Sequence, residues 1–185
     1  MIKDLLKELN ERMSTTVDVL QSDLLTIRTG RASPALVERL QVEYYDTMTP
    51  LNQLASISVP EPRLIAIRPW DATALPAIEK AILKSELGLT PQNDGRLIRL
   101  TIPRLTEDRR RELVKVVQRR VEEGKVALRN IRRDAIEDLR QFEKEKLITE
   151  DEFHRGREKV QELTNDLAAK MDELAKRKEK EIMEV

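Results

Sequence analysis

Apolar residues recur at intervals of three and four along the start of the chain: Ile2, Leu5, Leu6, Leu9, Met13, Val17, Leu20, Leu24 and Ile27. That period puts them on one face of a helix of about 28 residues, roughly 42 Å long at 1.5 Å per residue. The pattern stops at Thr29-Gly30, where glycine can take the left-handed capping conformation, and Pro34 prevents the helix from resuming. The period then changes. Val37 to Tyr45, Leu54 to Val59, Leu64 to Arg68 and Leu97 to Ile102 are short, β-branched or alternating runs, separated by Pro50, Pro60 and Pro62, and they read as strands. Between the third and fourth, Thr73 to Leu87 reads as a helix capped by Asp71 or Thr73, with Pro76 tolerated in its first turn and Gly88 as its stop. Pro91 and Asn93-Asp94-Gly95 predict a turn before the last strand.

The helical period returns after Pro103-Arg104-Leu105. Thr106 is placed to cap a helix whose first turn holds Glu107 and Asp108, and whose seam runs Leu113, Val117, Val121, Leu128, Ile131, Ala135, Leu139 and Phe142. From Thr106 to Lys146 such a helix reaches roughly 60 Å. After a short break at Leu147-Ile148, Thr149-Glu150-Asp151-Glu152 is a capping box, followed by a third seam of Phe153, Val160, Leu163, Leu167, Met171, Leu174 and Ile182.

None of the three helices can bury its narrow strip alone, so they must pack on one another. The predicted fold class is α+β: a long three-helix bundle, discontinuous in sequence, with an inserted small β/α/β domain. Residues 1–29 and 106–185 form the bundle and 31–104 the insert. Hinges fall near 30–31 and 103–105, at Gly30, Arg31, Pro103, Arg104 and Leu105. Gly124, on the apolar side of its helix, predicts a close helix approach. Trp70 and the Tyr44-Tyr45 pair could stack on bases, but are expected to complete the core of the inserted domain.

Composition sharpens this picture. Charged residues make up 37% of the 185 residues and aromatics only 3%, which suits long solvated helices better than a thick globular core. The 34 basic and 34 acidic residues cancel, so any nucleic-acid surface must come from sorting charges onto different faces. On a helical wheel centred on Leu128, Arg111, Lys115, Lys125, Arg129, Arg132, Arg133 and Arg140 fall on one flank, with Glu122 the only acid there between residues 111 and 140. Glu112, Glu123, Asp134, Glu137 and Asp138 fall on the other. Such a stripe can track phosphates, because arginine's planar fork engages phosphate oxygens bidentately. It can equally be a solvated face whose cations pair with carboxylates along the helix or across to its neighbours.

The chain lacks the residues most catalytic sites need. It has no cysteine, one histidine (His154, on a charged helical turn) and five scattered glycines. Those counts leave no thiolate or histidine metal cluster, no cysteine–histidine pair and no phosphate-cradling loop, so no enzyme, metal or cofactor is expected. The N-terminal residues alternate charge with leucine, and no apolar run reaches bilayer length. A soluble cytoplasmic protein is expected.

Several blocks carry a resemblance. They are Ile27-Arg28-Thr29-Gly30-Arg31-Ala32-Ser33-Pro34, Val42-Glu43-Tyr44-Tyr45, Pro50-Leu51-Asn52-Gln53-Leu54-Ala55-Ser56, and Ala77-Ile78-Glu79-Lys80-Ala81-Ile82. Leu87-Gly88-Leu89, Leu105-Thr106-Glu107-Asp108-Arg109-Arg110-Arg111 and Val126-Ala127-Leu128-Arg129-Asn130-Ile131-Arg132-Arg133 follow. In this order and spacing the chain closely resembles the ribosome recycling factor family over essentially its whole length. The resemblance implies a three-helix bundle carrying a β/α/β domain at a mobile angle, with dimensions like those of transfer RNA. It implies a monomer that binds the large ribosomal subunit and its ribosomal RNA after termination, and acts with elongation factor G and GTP to separate the subunits. Family RNA contacts map onto Arg28, Arg31, Arg110, Arg129 and Arg132, and Arg133 continues the same stripe. Arg110 lies on the seam side of the wheel. Asp46 stands where the family usually has glycine, at the tip of a hairpin; aspartate tolerates a left-handed turn there. The competing class is a coiled-coil adaptor whose long helices bind another protein, with the stripe merely solvated. An enzyme is the third alternative.

Overall fold

The computed structural model describes residues 1–184; Val185, the last residue assigned to the bundle from sequence, lies outside the described residues. Four helices and six strands follow in the order α1 (Ile2–Leu25), β1 (Gln41–Tyr44), β2 (Thr47–Pro50), β3 (Ala55–Glu61), β4 (Leu64–Pro69), α2 (Leu75–Lys84), β5 (Pro91–Asn93), β6 (Ile98–Thr101), α3 (Glu107–Lys144) and α4 (Glu150–Met183). They divide into two compact units. One holds Met1–Leu24 and Arg111–Lys180, the other Leu25–Arg110 with a short stretch from Glu181.

The first unit is built on the predicted strips. Leu9, Met13, Val17, Leu20 and Leu24 of α1 are buried, as are Leu113, Val117, Val121, Leu128, Ala135 and Leu139 of α3 and Phe153, Val160, Leu167 and Met171 of α4. Two glycines set the spacing. A methyl group added to Gly124 would lie 3.3 Å from the Met171 Sδ and Cε and 3.5 Å from Leu20; one added to Gly156 would lie 3.2 Å from both Leu139 methyls. The close approach predicted at Gly124 is present, and Gly156 supplies a second that the sequence pattern did not reveal. Gly124 meets Met171 while Gly156 meets Leu139, so α3 and α4 run antiparallel. Arg120 reaches Asp23 at 2.7 Å and Arg12 reaches Asp134 at 3.8 Å, which makes α1 antiparallel to α3 as well.

The caps around α3 and α4 follow the sequence closely. The Thr106 hydroxyl accepts from the Arg109 amide at 3.2 Å. At the start of α4, Thr149 N–H donates to Glu152 at 2.8 Å, and Glu152 N–H donates to the Thr149 hydroxyl at 3.2 Å, closing the reciprocal box. The bonds that its carboxylate accepts from the Thr149 amide and hydroxyl hold Glu152 below its ordinary pKa. Between the helices, Leu147 N–H reaches Phe142 O at 2.8 Å and Lys146 N–H reaches Glu143 O at 2.9 Å. This is a Schellman turn with Lys146, at φ +58°, in the position that favours glycine.

The second unit packs α2 on a four-stranded antiparallel sheet of order β3-β4-β6-β5, with the β1–β2 hairpin beside it. Its core is aliphatic: Val37, Val42, Leu51, Ile65, Ile67, Ile78, Ile82, Ile98, Leu100 and Ile102 are fully or almost fully buried. Along β4, Ile65, Ile67 and Pro69 point inward, so the period of two turns Arg68 and Trp70 outward. Trp70 is 69% exposed and Tyr45 78%, against the expectation that both complete this core; only Tyr44 is half-buried. Its hydroxyl donates to Asp71 at 2.7 Å, and Asp71 also accepts from the Thr73 amide at 2.9 Å. Asp71, not Thr73, therefore caps the turn leading into α2.

Several predicted boundaries move. Helix α1 ends at Leu25 and not at Thr29, and Gly30 is not left-handed; Gly88 and Gly95 are the glycines with positive φ. The buried Thr29 accepts from the Arg31 amide at 3.2 Å, a local turn that competes with further helix. The Val37–Tyr45 run begins later, because Ser33 caps a 3-10 turn over Pro34–Leu36 and the strand starts at Gln41. Helix α2 closes at Lys84, where the Ser85 amide and hydroxyl both bond Ile82 O. Strand β5 falls on residues that read as a turn, and β2 on a stretch left between two predicted runs, with Pro50 read as a separator. Pro91 opens an edge strand, and Pro60 lies in the other edge strand, β3, both positions where proline is tolerated. The β1–β2 hairpin turns on Tyr45 (φ +48°) and Asp46 (φ +59°), so Asp46 does take the left-handed conformation.

Two outcomes are expected. Lys146→Gly should raise stability by about 1 kcal/mol in denaturant unfolding, because glycine adopts the left-handed cap without steric cost. The hydrogen bond to Asp71 raises the Tyr44 pKa to about 12 from the ordinary 10.0, favouring the neutral phenol in the folded state. That contribution is complete below the unfolded pKa and is lost as pH rises toward about 12. Thermal melts should therefore show wild type losing more stability than Tyr44→Phe across this window.

Candidate nucleic-acid interface

Helix α3 is long enough to present a continuous face, and its burial on α1 and α4 fixes which face is left outside. Lys115, Arg129, Arg133 and Arg140 stand exposed on the flank predicted from the wheel, and Arg132 and Lys125, nearer the seam, are half-buried. Arg111 is exposed as well.

Their partners differ, and the differences matter chemically. Lys125 pairs with Asp172 of α4 at 2.6 Å. Arg129 reaches back along its own helix to Glu122 at 2.6 Å, and Arg140 meets Glu137 at 3.5 Å. Arg132 is held by a neutral group: its Nη1 donates to Gln161 Oε1 at 3.1 Å. Lys115 and Arg133 make no ion pair among the described residues. The face is thus partly paired and partly open. The Arg129 and Arg140 pairs are at least half exposed on both sides, and exposed pairs contribute about 0–1 kcal/mol. An incoming phosphate can displace carboxylates held that weakly. Lys125 is better covered, with 27% of its side chain accessible, and is the cation least available to a partner.

The other three arginines assigned from the family pattern lie in the second unit. Arg28 Nη1 donates to Leu87 O at 3.3 Å; burial, then the charge of Arg109, lowers its pKa. Arg31 is exposed and pairs with Glu184 at 3.5 Å. Arg110 is half-buried, as its seam-side wheel position requires, with Nη1 3.5 Å from Met183 O and its Nε buried without a hydrogen-bond partner. Gly30, Arg31, Pro103, Arg104 and Leu105 all fall inside this unit, where Gly30, Arg31, Arg104, Leu105 and Arg110 line a cavity of about 510 Å³ with Pro62, Arg63 and Glu184. Sequence reasoning did not find Gln161. Its pairing with Arg132 depends on the cross-helix register of α3 and α4, which no pattern along one helix contains.

Among the described residues, no cluster of three or more His, Cys, Asp or Glu side chains could hold a metal ion, and no helix is long and apolar enough to cross a membrane. His154 is half exposed, 3.7 Å from Glu150 on its own helix.

The family model described as ribosome recycling factor matches residues 20–183. The chain belongs to the ribosome recycling factor family. It is 58% identical to the ribosome-recycling factor of Roseiflexus castenholzii and 54% identical to that of Bacillus subtilis, in both cases over all of this chain and all of the relative. A solution structure of a ribosome recycling factor superposes with a TM-score of 0.80 at 45% identity, covering 100% of this chain and 98% of that one. A second structure has a TM-score of 0.69 at 46% identity, with full coverage of both chains. It presents the T. thermophilus ribosome recycling factor with E. coli elongation factor G bound to the E. coli post-termination complex. The α+β class, with long helices and a small β-containing unit, is the architecture of this family.

Between residues 111 and 140, Glu122 is the one acid on the basic flank of α3. Glu122→Gln should release Arg129 and raise affinity for a polyanion such as heparin about two- to fivefold, the range set by the worth of an exposed pair. Elution at higher salt than wild type from a heparin column is the readout; earlier elution would count against the face.

Proposed function

We propose that this chain binds the post-termination ribosome through its large subunit and, with elongation factor G and GTP, promotes separation of the subunits. The protein performs no chemistry itself. Family membership supports the setting, and the relative seen with elongation factor G on the post-termination complex supports the partner. The observation that carries the residue-level reading is the cationic flank of α3. Arg129, Arg132 and Arg133 lie about one helical turn apart at most there, on a rod fixed by burial on two sides. Their guanidinium groups are the contacts assigned to ribosomal RNA phosphates, with Arg28, Arg31 and Arg110 as a second group.

A hinge completes the reading. Ala32 N–H donates to Pro62 O at 2.8 Å and Ile102 N–H to Arg63 O at 2.7 Å, which ties both residues to the sheet-containing unit. These bonds support a pivot in the chain before Ala32 and after Ile102, and Gly30, Arg31, Pro103, Arg104 and Leu105 are the residues assigned to it. GTP hydrolysis by the partner supplies the work, and the bundle domain (1–29, 106–185) and inserted domain (31–104) move as separate bodies. The protein acts as a cytoplasmic monomer, with no cofactor of its own.

Subunit splitting of post-termination ribosomes, with and without elongation factor G and GTP, tests this directly. Wild type should split them only with both present. Arg132→Ala should weaken large-subunit binding by about 1–3 kcal/mol and slow splitting in proportion, and it should reduce the salt slope of binding by about one. Unchanged subunit binding in both Arg132→Ala and Arg129→Ala would remove α3 as the contact surface.

A further inference from the structure

Arg132 differs from the paired cations of its face in having a neutral partner. Lys125, Arg129 and Arg140 each pair with a carboxylate, whereas Arg132 Nη1 bonds the amide oxygen of Gln161. Gln161 is itself held, because its Nε2 donates to Asn165 Oδ1 at 2.8 Å, one turn further along α4. That bond turns the amide's donor side away and leaves its oxygen facing the guanidinium.

We propose that Gln161, oriented by Asn165, is a positioning residue that aims Arg132 at RNA without neutralising it. The inference rests on the reading of Arg132 as a phosphate contact. A glutamate in this place would hold the guanidinium as firmly but cancel its charge. A purely apolar neighbour would leave a long, flexible side chain to be ordered on binding. The amide avoids both costs. Arg132 is half-buried, so its stem already has limited freedom, and the hydrogen bond fixes the end of the fork. The Nε–Nη2 edge makes no hydrogen bond among the described residues, and this edge suits bidentate phosphate recognition. Arg132 is thus arranged in advance, and the paired arginines join by exchanging a carboxylate for a phosphate.

The test is a double-mutant cycle on the full chain, read by equilibrium binding to large ribosomal subunits over a salt series. Gln161→Glu should weaken binding about tenfold and lower the salt slope by about one, because Arg132 acquires an internal counterion. Gln161→Ala should weaken it only about threefold and leave the slope unchanged, since charge is kept and order lost. In the Arg132→Ala background, Gln161→Glu should change affinity by less than about twofold. Helical circular dichroism and melting temperature establish that each variant is folded, and Gln161→Ala carries the test should the glutamate variant fail. Loss of affinity in Arg132→Ala with native-like binding of Gln161→Glu, or additive effects in the cycle, would overturn the proposal. Native binding by Arg132→Ala would instead remove the reading on which it rests.

Discussion

Each of the three long helices carries an apolar strip only a few residues wide, and burying those strips against one another is the constraint from which the rest of the molecule follows. A strip of this width cannot be covered by a short helix packing at a steep angle; it needs neighbours that stay alongside for many turns. Gly124 and Gly156 are points of close approach between helices, each leaving no more than 3.3 Å between a would-be methyl group and its closest side-chain neighbour. With both strips of contact fixed, α3 has no freedom to roll about its axis. The same packing that buries Leu128 therefore decides that Arg129 and Arg133 look outward and that Arg132 stands at the border, within reach of α4.

Net neutrality and nucleic-acid binding are compatible because of that fixed rotation. A chain with equal numbers of acids and bases cannot attract RNA from a distance through its total charge, so local arrangement must do the work. The pairs on α3 keep the unbound surface balanced, and most are weak enough to be exchanged. Arg132 is the exception in its chemistry, with an amide where its neighbours have carboxylates. A face built this way costs little to hold in water and still presents cations to an anionic partner.

Much of this architecture was legible in the spacing of side chains. The strips of α1, α3 and α4, the Thr106 cap, the reciprocal box at Thr149 and Glu152, and the close approach at Gly124 all follow from rules that act within a few residues. The misreadings share a cause. Strands β2 and β5 begin or end in proline and owe their form to the strands beside them, and Trp70 faces outward because its place in the alternation is set by Ile65 and Ile67. The end of α1 was misplaced because the Thr29 hydroxyl bonds the Arg31 amide and outcompetes the glycine signal at position 30. In the candidate interface the cations could be assigned to a flank from the wheel, but their partners could not. Whether an arginine meets Glu122, Asp172 or Gln161 depends on helix register and on which long side chains reach each other, and neither is written along a single helix.

The prolines at the margins of the four-stranded sheet have a consequence for how the protein behaves in company. An open sheet offers its outermost backbone to any extended peptide that drifts past, and self-templating of that kind ends in fibrils. Pro60 on one border and Pro91 on the other each lack the amide proton that such an addition needs. Each border therefore carries one position that cannot donate to an added strand, which works against extension of the sheet by further copies.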